Sequence, residues 1–257
     1  MRRWMGTVLL GVGMVWLTGC AGRAPDSFTL EVDLPAEFEL KTAANYRPAT
    51  GETCMLPQRR GKWPERKLFF SDYKPLASRV SYELALSERV DGCPLVLANV
   101  EFDFTAKWGT RTADIGGDYA RISIRDRLDT PGMPESGVQQ ISGMCQWWFR
   151  TVGPVHGIRK ILQCRSVDDA GQLQNTRPGG VAQRDQLPGK ILRMVLTVSA
   201  EEQPAFDDNW IAVPGGWKRC RGTSFEDMDA YCNGDTTHFK PIKMPDGRIC
   251  DVYPSCN

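Results

Sequence analysis

Apolar and polar residues alternate along most of the chain between residues 28 and 200. From Phe28 to Leu34 every second residue is apolar, and the residues between them are Thr, Glu and Asp. Four further stretches alternate in a similar way: 79–86, 95–105, 120–125 and 192–198. A period of two is typical of β strands with one buried face, and helical periodicity with caps is hard to find here. The pattern therefore predicts a mainly β fold, with an antiparallel β-sandwich-like domain over residues 28–200.

The stretch from Cys145 to Cys164 predicts a β hairpin. Two apolar runs flank a turn segment at residues 152–157. If Thr151 lies opposite Ile158, the same register places Cys145 opposite Cys164 and gathers the apolar side chains on one face. We therefore predict a Cys145–Cys164 disulfide at a non-hydrogen-bonded pair, where cross-strand side chains approach most closely. In the chain-entropy model such a bridge contributes on the order of 3 kcal/mol.

The other face of this hairpin carries a tryptophan among arginines. Trp148, Arg150 and Arg159 fall on it, and His156 lies in the turn. Tryptophan stacks with guanidinium groups and is a common anchor in protein interfaces. Trp148, Arg150, His156 and Arg159 are therefore the candidate binding surface. The alternative is that another part of the same chain covers this face and that His156 is a loop residue.

Six further cysteines lie outside the hairpin: Cys54, Cys93, Cys220, Cys232, Cys250 and Cys256. Together with the hairpin pair they make an even number, as a disulfide framework in an oxidising compartment requires. Their pairing stays open. Close C-x-x-C spacings are absent and the chain has only two histidines, so we predict no metal site. The last four cysteines indicate a disulfide-stapled C-terminal region at residues 201–257.

The first twenty residues have the pattern of an export signal. Arg2 and Arg3 precede an apolar run that ends in Leu17-Thr18-Gly19-Cys20, too short for a comfortable bilayer span. This segment resembles the signal peptide and lipobox of bacterial lipoproteins. The resemblance implies a leader at residues 1–19, a lipidated Cys20 as the first mature residue, and a tether at residues 20–27. Because Ala21 is not Asp, it also implies the outer membrane, facing the periplasm. An ordinary secretory peptide or a plain membrane anchor is the alternative.

The charge of the chain limits its partners. Removing the leader with Arg2 and Arg3 changes the net charge from +1 to −1. A near-neutral chain is not drawn electrostatically to nucleic acid or to anionic lipid. We therefore expect contact with the membrane through the lipid on Cys20, a protein partner in the periplasm, no nucleic acid and no cofactor.

Catalytic motifs are weak or missing in the sequence. Residues 71–74 match S-x-x-K, but they follow a strand-like run, precede Pro75, and have no K-T-G downstream. The sequence has no G-x-S-x-G, no H-E-x-x-H and no phosphate-binding glycine loop. Its acidic clusters lack the spacing of a calcium loop. These observations predict a protein that binds and does not catalyse.

A tethered, β-rich periplasmic lipoprotein without catalytic motifs is similar to the immunity proteins that protect bacteria against type VI secretion effectors. The region from Cys145 to Asp168 adds to this resemblance. It implies that a loop or hairpin tip enters and blocks the active cleft of a toxic effector. Two other functions stay open: a structural or assembly lipoprotein of the cell envelope, and a cell-wall hydrolase whose site residues are scattered along the chain.

Overall fold

A computed structural model describes residues 26–54, 65–128, 132–223 and 227–256. The predicted leader, Cys20 and most of the predicted tether lie outside the described residues. In the part of the chain that is described, no helix is long and apolar enough to cross a membrane.

The described chain is built mainly of β strands, as the alternation predicts. The first eleven are β1 (Ser27–Leu34), β2 (Phe38–Pro48), β3 (Glu65–Ser71), β4 (Ser78–Ala85), β5 (Ser87–Val90), β6 (Cys93–Lys107), β7 (Ile115–Arg125), β8 (Val138–Val152), β9 (Gly157–Val167), β10 (Gly179–Gln183) and β11 (Ile191–Val198). Seven short strands follow: β12 (Gln203–Pro204), β13 (Trp210–Val213), β14 (Gly216–Cys220), β15 (Phe239–Lys240), β16 (Ile242–Lys243), β17 (Ile249–Cys250) and β18 (Tyr253–Pro254). Three short 3-10 helices complete the described elements: Arg184–Gln186, Asp207–Asn209 and Met228–Ala230.

Two sheets face each other and form the predicted sandwich. The larger sheet has the order β17-β16-β9-β8-β11-β1-β4, with β12 also paired to β8. The smaller sheet has the order β10-β7-β6-β2-β3, with β5 also paired to β6. Buried residues of both sheets form a single apolar cluster, to which Phe28 of β1 and Phe102 of β6 belong. Each strand contributes every second side chain because only one face of each sheet meets the other.

Each of the two large sheets contains parallel as well as antiparallel strand pairs. Strand β11 runs parallel to both of its neighbours, β1 and β8, and β10 runs parallel to β7. The alternation of side chains is the same in either direction, so it does not specify the direction of a neighbour. The chain leaves the larger sheet after β9, contributes β10 to the smaller sheet, and returns as β11. This detour allows β11 to lie parallel to β8.

The C-terminal region is attached to the far end of the β8–β9 hairpin. It forms a third, four-stranded sheet of β13, β14, β15 and β18, while β12 pairs with β8 and β16 pairs with β9. A second apolar cluster combines hairpin and C-terminal residues: Phe149, Ile158, Trp210, Ile242 and Tyr253. The ring centroids of Phe149 and Trp210 lie 4.8 Å apart, in an edge-to-face arrangement. The hairpin therefore contributes to both cores of the molecule.

Candidate functional site

The β8–β9 hairpin has the register that the sequence predicts. Thr151 lies opposite Ile158, and Cys145 lies opposite Cys164, with an S–S distance of 2.03 Å. The Cys164 N–H donates to Asp118 Oδ2 at 2.7 Å, and the Cys145 carbonyl accepts from the Ser199 N–H at 2.8 Å. Both backbone groups point away from the opposite cysteine. The disulfide therefore joins a non-hydrogen-bonded pair.

The other six cysteines form three further disulfides: Cys54–Cys93, Cys220–Cys232 and Cys250–Cys256. Each links a cysteine to the next one along the chain, among the six that the sequence left unassigned. Two of the three lie in the C-terminal region, which agrees with a disulfide-stapled segment there. Because all eight are in disulfides, none of them offers a free thiol as a nucleophile.

Trp148 is half-buried on the outer face of the hairpin. The guanidinium of Arg165 lies 6.0 Å from its ring centroid. A small pocket of about 200 Å³ surrounds the ring and is also lined by Leu173 and Glu201, so other segments of the chain border this face. The Trp148 Nε1 atom is buried and has no hydrogen-bond partner. The tryptophan therefore lines a small pocket and does not project freely.

Arg150 and Arg159 lie directly opposite each other across the two strands. Like charges in this position repel. Arg159 Nη1 lies 4.0 Å from Asp114 Oδ1, which compensates part of its charge. Arg150 forms no ion pair with any described residue, and its Nε atom is buried without a partner.

His156 lies in the interior between the hairpin turn and the C-terminal region. It is 1% exposed and has a positive φ of 48°. Its Nε2 donates to the Gly222 carbonyl at 2.5 Å, and its Nδ1 is buried without a partner. Burial lowers the pKa of His156, the bond to Gly222 opposes this, and the charges of Arg219 and Lys240 add to the lowering. His156 therefore joins two parts of the chain and does not share a surface with Trp148.

A larger pocket lies between the end of the hairpin and the C-terminal region. We call it the hairpin pocket, and its volume is about 410 Å³. Ten of the described residues line it: Arg150, Thr151, Val152, Gly153, Pro154, Phe206, Asn209, Trp210, Arg219 and Thr223. Of the four residues of the predicted surface, only Arg150 lines this pocket.

Arg219 is a buried cation at the base of the hairpin pocket. It is 5% exposed, and its Nε donates to Thr151 Oγ1 at 2.9 Å. Its Nη1 donates to three backbone carbonyls, those of Asn209, Cys220 and Ala230. Burial lowers the pKa of Arg219 to about 10, against the opposing charge of Asp227. Arg219 thus ties the hairpin to the C-terminal region mainly through neutral oxygens.

Sequence reasoning missed Arg219 and Asn209. Arg219 lies in the run Lys218-Arg219-Cys220-Arg221, where nothing in the pattern separates a buried arginine from exposed ones. Asn209 ends a 3-10 helix that the sequence did not indicate. The role of Arg219 depends on its contact with Thr151 of the hairpin, 68 positions earlier in the chain, and such contacts leave no local signal.

The S-x-x-K match lacks the helical turn that this motif needs. Ser71 is the last residue of β3, and Lys74 lies in the loop that follows. In the penicillin-binding type of site, the serine opens a helix so that the lysine one turn later reaches its hydroxyl. Within the described ranges, no group of three or more His, Cys, Asp or Glu side chains is placed to hold a metal ion.

Comparisons of the chain with protein-family models, with curated proteins and with solved structures find no match.

Proposed function

We propose that this chain is a lipid-anchored periplasmic protein that binds a toxic effector and blocks its active cleft, without catalysing a reaction. The observation that carries the proposal concerns the end of the β8–β9 hairpin. This end is exposed to solvent, and a disulfide and hydrogen bonds to the C-terminal region fix its conformation. A loop of this kind is suited to entering a cleft.

The tip of the hairpin is exposed and partly apolar. Gly153, Pro154 and Val155 are all exposed, and Val155 has 62% of its surface accessible. The His156 N–H donates to the Gly153 carbonyl at 3.0 Å and closes the turn. The tip therefore presents an apolar side chain on a closed backbone turn.

A disulfide and hydrogen bonds fix the conformation of this tip. The Cys145–Cys164 disulfide joins the two strands. The Lys243 N–H donates to the His156 carbonyl at 3.0 Å, and the His156 ring bonds to Gly222. A loop already held in one conformation loses less entropy on binding than a free loop, and so retains more of its contact energy as affinity.

The lipid anchor on Cys20 supports this function because it keeps the protein at the outer membrane, facing the periplasm. Strand β1 begins at Ser27, the last residue of the predicted tether of residues 20–27. We expect Cys20→Ser to abolish incorporation of labelled palmitate and to release the chain from the membrane fraction. Undiminished labelling of the Cys20→Ser chain would disprove lipidation at this residue.

The binding experiment uses the full chain with a C-terminal tag, purified from envelope extract, with Val155→Asp as the test variant. A charge on the apolar tip should abolish capture of the effector, because removing the Asp carboxylate from water inside the cleft costs free energy. Leu76→Asp is the matched control, since Leu76 is 76% exposed and lies in the loop between β3 and β4. Trp148→Ala tests the outer face of the hairpin separately.

The captured protein is then assayed for hydrolytic activity. The proposal requires inhibition by the wild-type chain and by Leu76→Asp, and loss of inhibition with Val155→Asp. Equal inhibition by all variants would show that the effector does not bind at the hairpin tip. Capture of several envelope proteins with no inhibited enzyme among them would contradict the proposal and favour an assembly lipoprotein.

A further inference from the structure

The described lining of the hairpin pocket contains two guanidinium groups and no carboxylate. Arg150 and Arg219 line the pocket, and the described residues of its lining include no Asp or Glu. Neither arginine forms an ion pair with any described residue. Cations removed from water are costly unless an opposite charge accompanies them. The electrostatics of the pocket therefore favour an anionic ligand.

Arg219 keeps hydrogen-bond donors available for such a ligand. Its Nε and Nη1 atoms bond to protein oxygens. Its Nη2 atom has no partner among the described residues and is not among the fully buried unpaired atoms. The two N–H groups of Nη2 can therefore donate hydrogen bonds to the oxygens of a bound carboxylate, and charge-assisted hydrogen bonds of this kind are strong.

The walls of the pocket are apolar. Val152 and Pro154 of the hairpin line it together with Phe206 and Trp210 of the C-terminal region, and Trp210 is only 3% exposed. A volume of about 410 Å³ lies in the range of small-molecule sites, which combine apolar walls with a few fixed polar groups. The ligand therefore needs an apolar body beside its negative group.

An unpaired amide oxygen adds a second polar requirement. Asn209 is 4% exposed and lines the pocket, and its Oδ1 is buried without a partner. A buried polar atom without a hydrogen bond costs about 1–3 kcal/mol. A ligand with an N–H donor close to its carboxylate would remove this cost. The last residue of a peptide carries both groups, whereas a simple aromatic acid carries only the carboxylate.

We propose that the hairpin pocket binds a carboxylate attached to an apolar body, with the carboxylate at Arg150 and Arg219 and the body against Phe206 and Trp210. The ligand is a free aliphatic or aromatic acid, or the C-terminal residue of a peptide. This site goes beyond the effector-blocking function, because Val155 at the tip does not line the pocket.

The experiment is isothermal titration calorimetry of the full chain with two pairs of probes. The first pair is 3-phenylpropionate and 3-phenylpropanamide, and the second is N-acetylglycyl-phenylalanine and its C-terminal amide. We expect at least one acid to bind with saturation, and its neutral amide to bind about tenfold more weakly or worse. Stronger binding of the peptide acid identifies a chain terminus as the source, and stronger binding of 3-phenylpropionate identifies a free acid.

Two variants locate the binding in the hairpin pocket. Arg150→Gln should weaken binding of the acid about tenfold by removing one charge, and Val152→Trp should abolish it by filling the space. Arg125→Gln is the matched control, because Arg125 is an exposed arginine at the end of β7 and does not line this pocket. Near-ultraviolet circular dichroism checks that each variant is folded.

Three results would overturn the proposal: no saturable heat with either acid, equal affinity for an acid and its amide, or unchanged binding of the acid to both folded pocket variants. The titration and the effector assay fail independently. Loss of inhibition in Val155→Asp with intact acid binding would separate the two sites.

Discussion

The sandwich core and the C-terminal core differ in size and in what stabilises them. Among the described residues, thirty buried side chains form the sandwich core in one cluster, whereas five form the C-terminal core. Around the small core lie two disulfides, Cys220–Cys232 and Cys250–Cys256. A small apolar cluster supplies little stability by itself, and covalent links commonly compensate for this.

Polar groups also enter the small core. Lys160 of β9 forms an ion pair with Glu202, and Tyr253 Oη donates to Glu202 Oε2 at 2.5 Å. The Lys160 ammonium also lies 5.7 Å from the ring centroid of Tyr253, within the range of cation–π attraction. The comparison teaches that the stability of the C-terminal region depends on specific ion pairs, hydrogen bonds and disulfides, whereas the stability of the sandwich depends mainly on its large buried apolar area. It follows that the C-terminal region should respond more strongly to pH and to reduction.

Removing the ring shared by the hairpin and the small core should have the largest effect. Phe149 is 0% exposed and contacts Trp210 and Tyr253. We expect Phe149→Ala to lower the free energy of unfolding by about 3–5 kcal/mol. The loss should appear as faster amide hydrogen exchange in β13–β15 before the sandwich strands are affected.

Phe102→Ala is the counterpart in the sandwich core, where Phe102 is also 0% exposed. It should accelerate exchange throughout the two large sheets, because their core is one cluster. If both substitutions gave the same pattern of exchange, the two cores would be one cooperative unit and the comparison would fail.

Removing the Cys220–Cys232 disulfide should be the next largest effect. Its sequence separation is 12 residues, for which the chain-entropy model gives about 3 kcal/mol. We expect the double substitution Cys220→Ala and Cys232→Ala to lower the thermal stability of the C-terminal region selectively. Scanning calorimetry should then resolve an earlier transition ahead of the sandwich.

The Cys145–Cys164 pair, with a separation of 19 residues, is the control. Its removal should shift the main transition, because both cysteines belong to the sandwich core. A single shifted transition in both double variants would show that the disulfides do not distinguish the two regions.

The smallest effect concerns pH and His156. Burial lowers the pKa of His156 below its ordinary value of 6.5, so the unfolded chain binds the proton more readily than the folded one. The contribution of neutral His156 to the free energy of unfolding is therefore fully present above about pH 6.5. It decreases as the pH falls, by at most about 1.4 kcal/mol per pH unit. Asp33 and Asp114 also have lowered pKa values, but the ordinary pKa of an aspartate is already 3.8. Their contributions to stability are therefore lost only at a lower pH than that of His156.

The measurement compares the free energy of unfolding by denaturant at about pH 7 and about pH 5.5. His156→Asn should reduce the difference, since asparagine tolerates the positive φ at this position and does not titrate. His238→Asn is the control, because the His238 side chain is 64% exposed and its ion pair with Asp235 is local. An unchanged pH difference in His156→Asn would rule out His156 as the source.

The sequence by itself determined the features that depend on near neighbours. The alternation of Phe28 to Leu34 gave a strand with one buried face, and the turn between Thr151 and Ile158 fixed the hairpin register. That register brought Cys145 and Cys164 together, since both sulfurs lie within one hairpin. Local backbone geometry and side-chain polarity decide these features, and both can be read along the chain.

Only the tertiary structure decided what distant segments do to each other. It made β11 parallel to β8, paired the six remaining cysteines, and buried His156 against Gly222. It also placed Arg219 beside Thr151 and thereby formed the hairpin pocket. Apart from the Cys220–Cys232 and Cys250–Cys256 bridges, which span 12 and 6 residues, these contacts join segments far apart in sequence. The path of the chain between the segments sets their geometry. Neither periodicity nor residue type records that path, because a buried arginine and an exposed one have the same local sequence pattern.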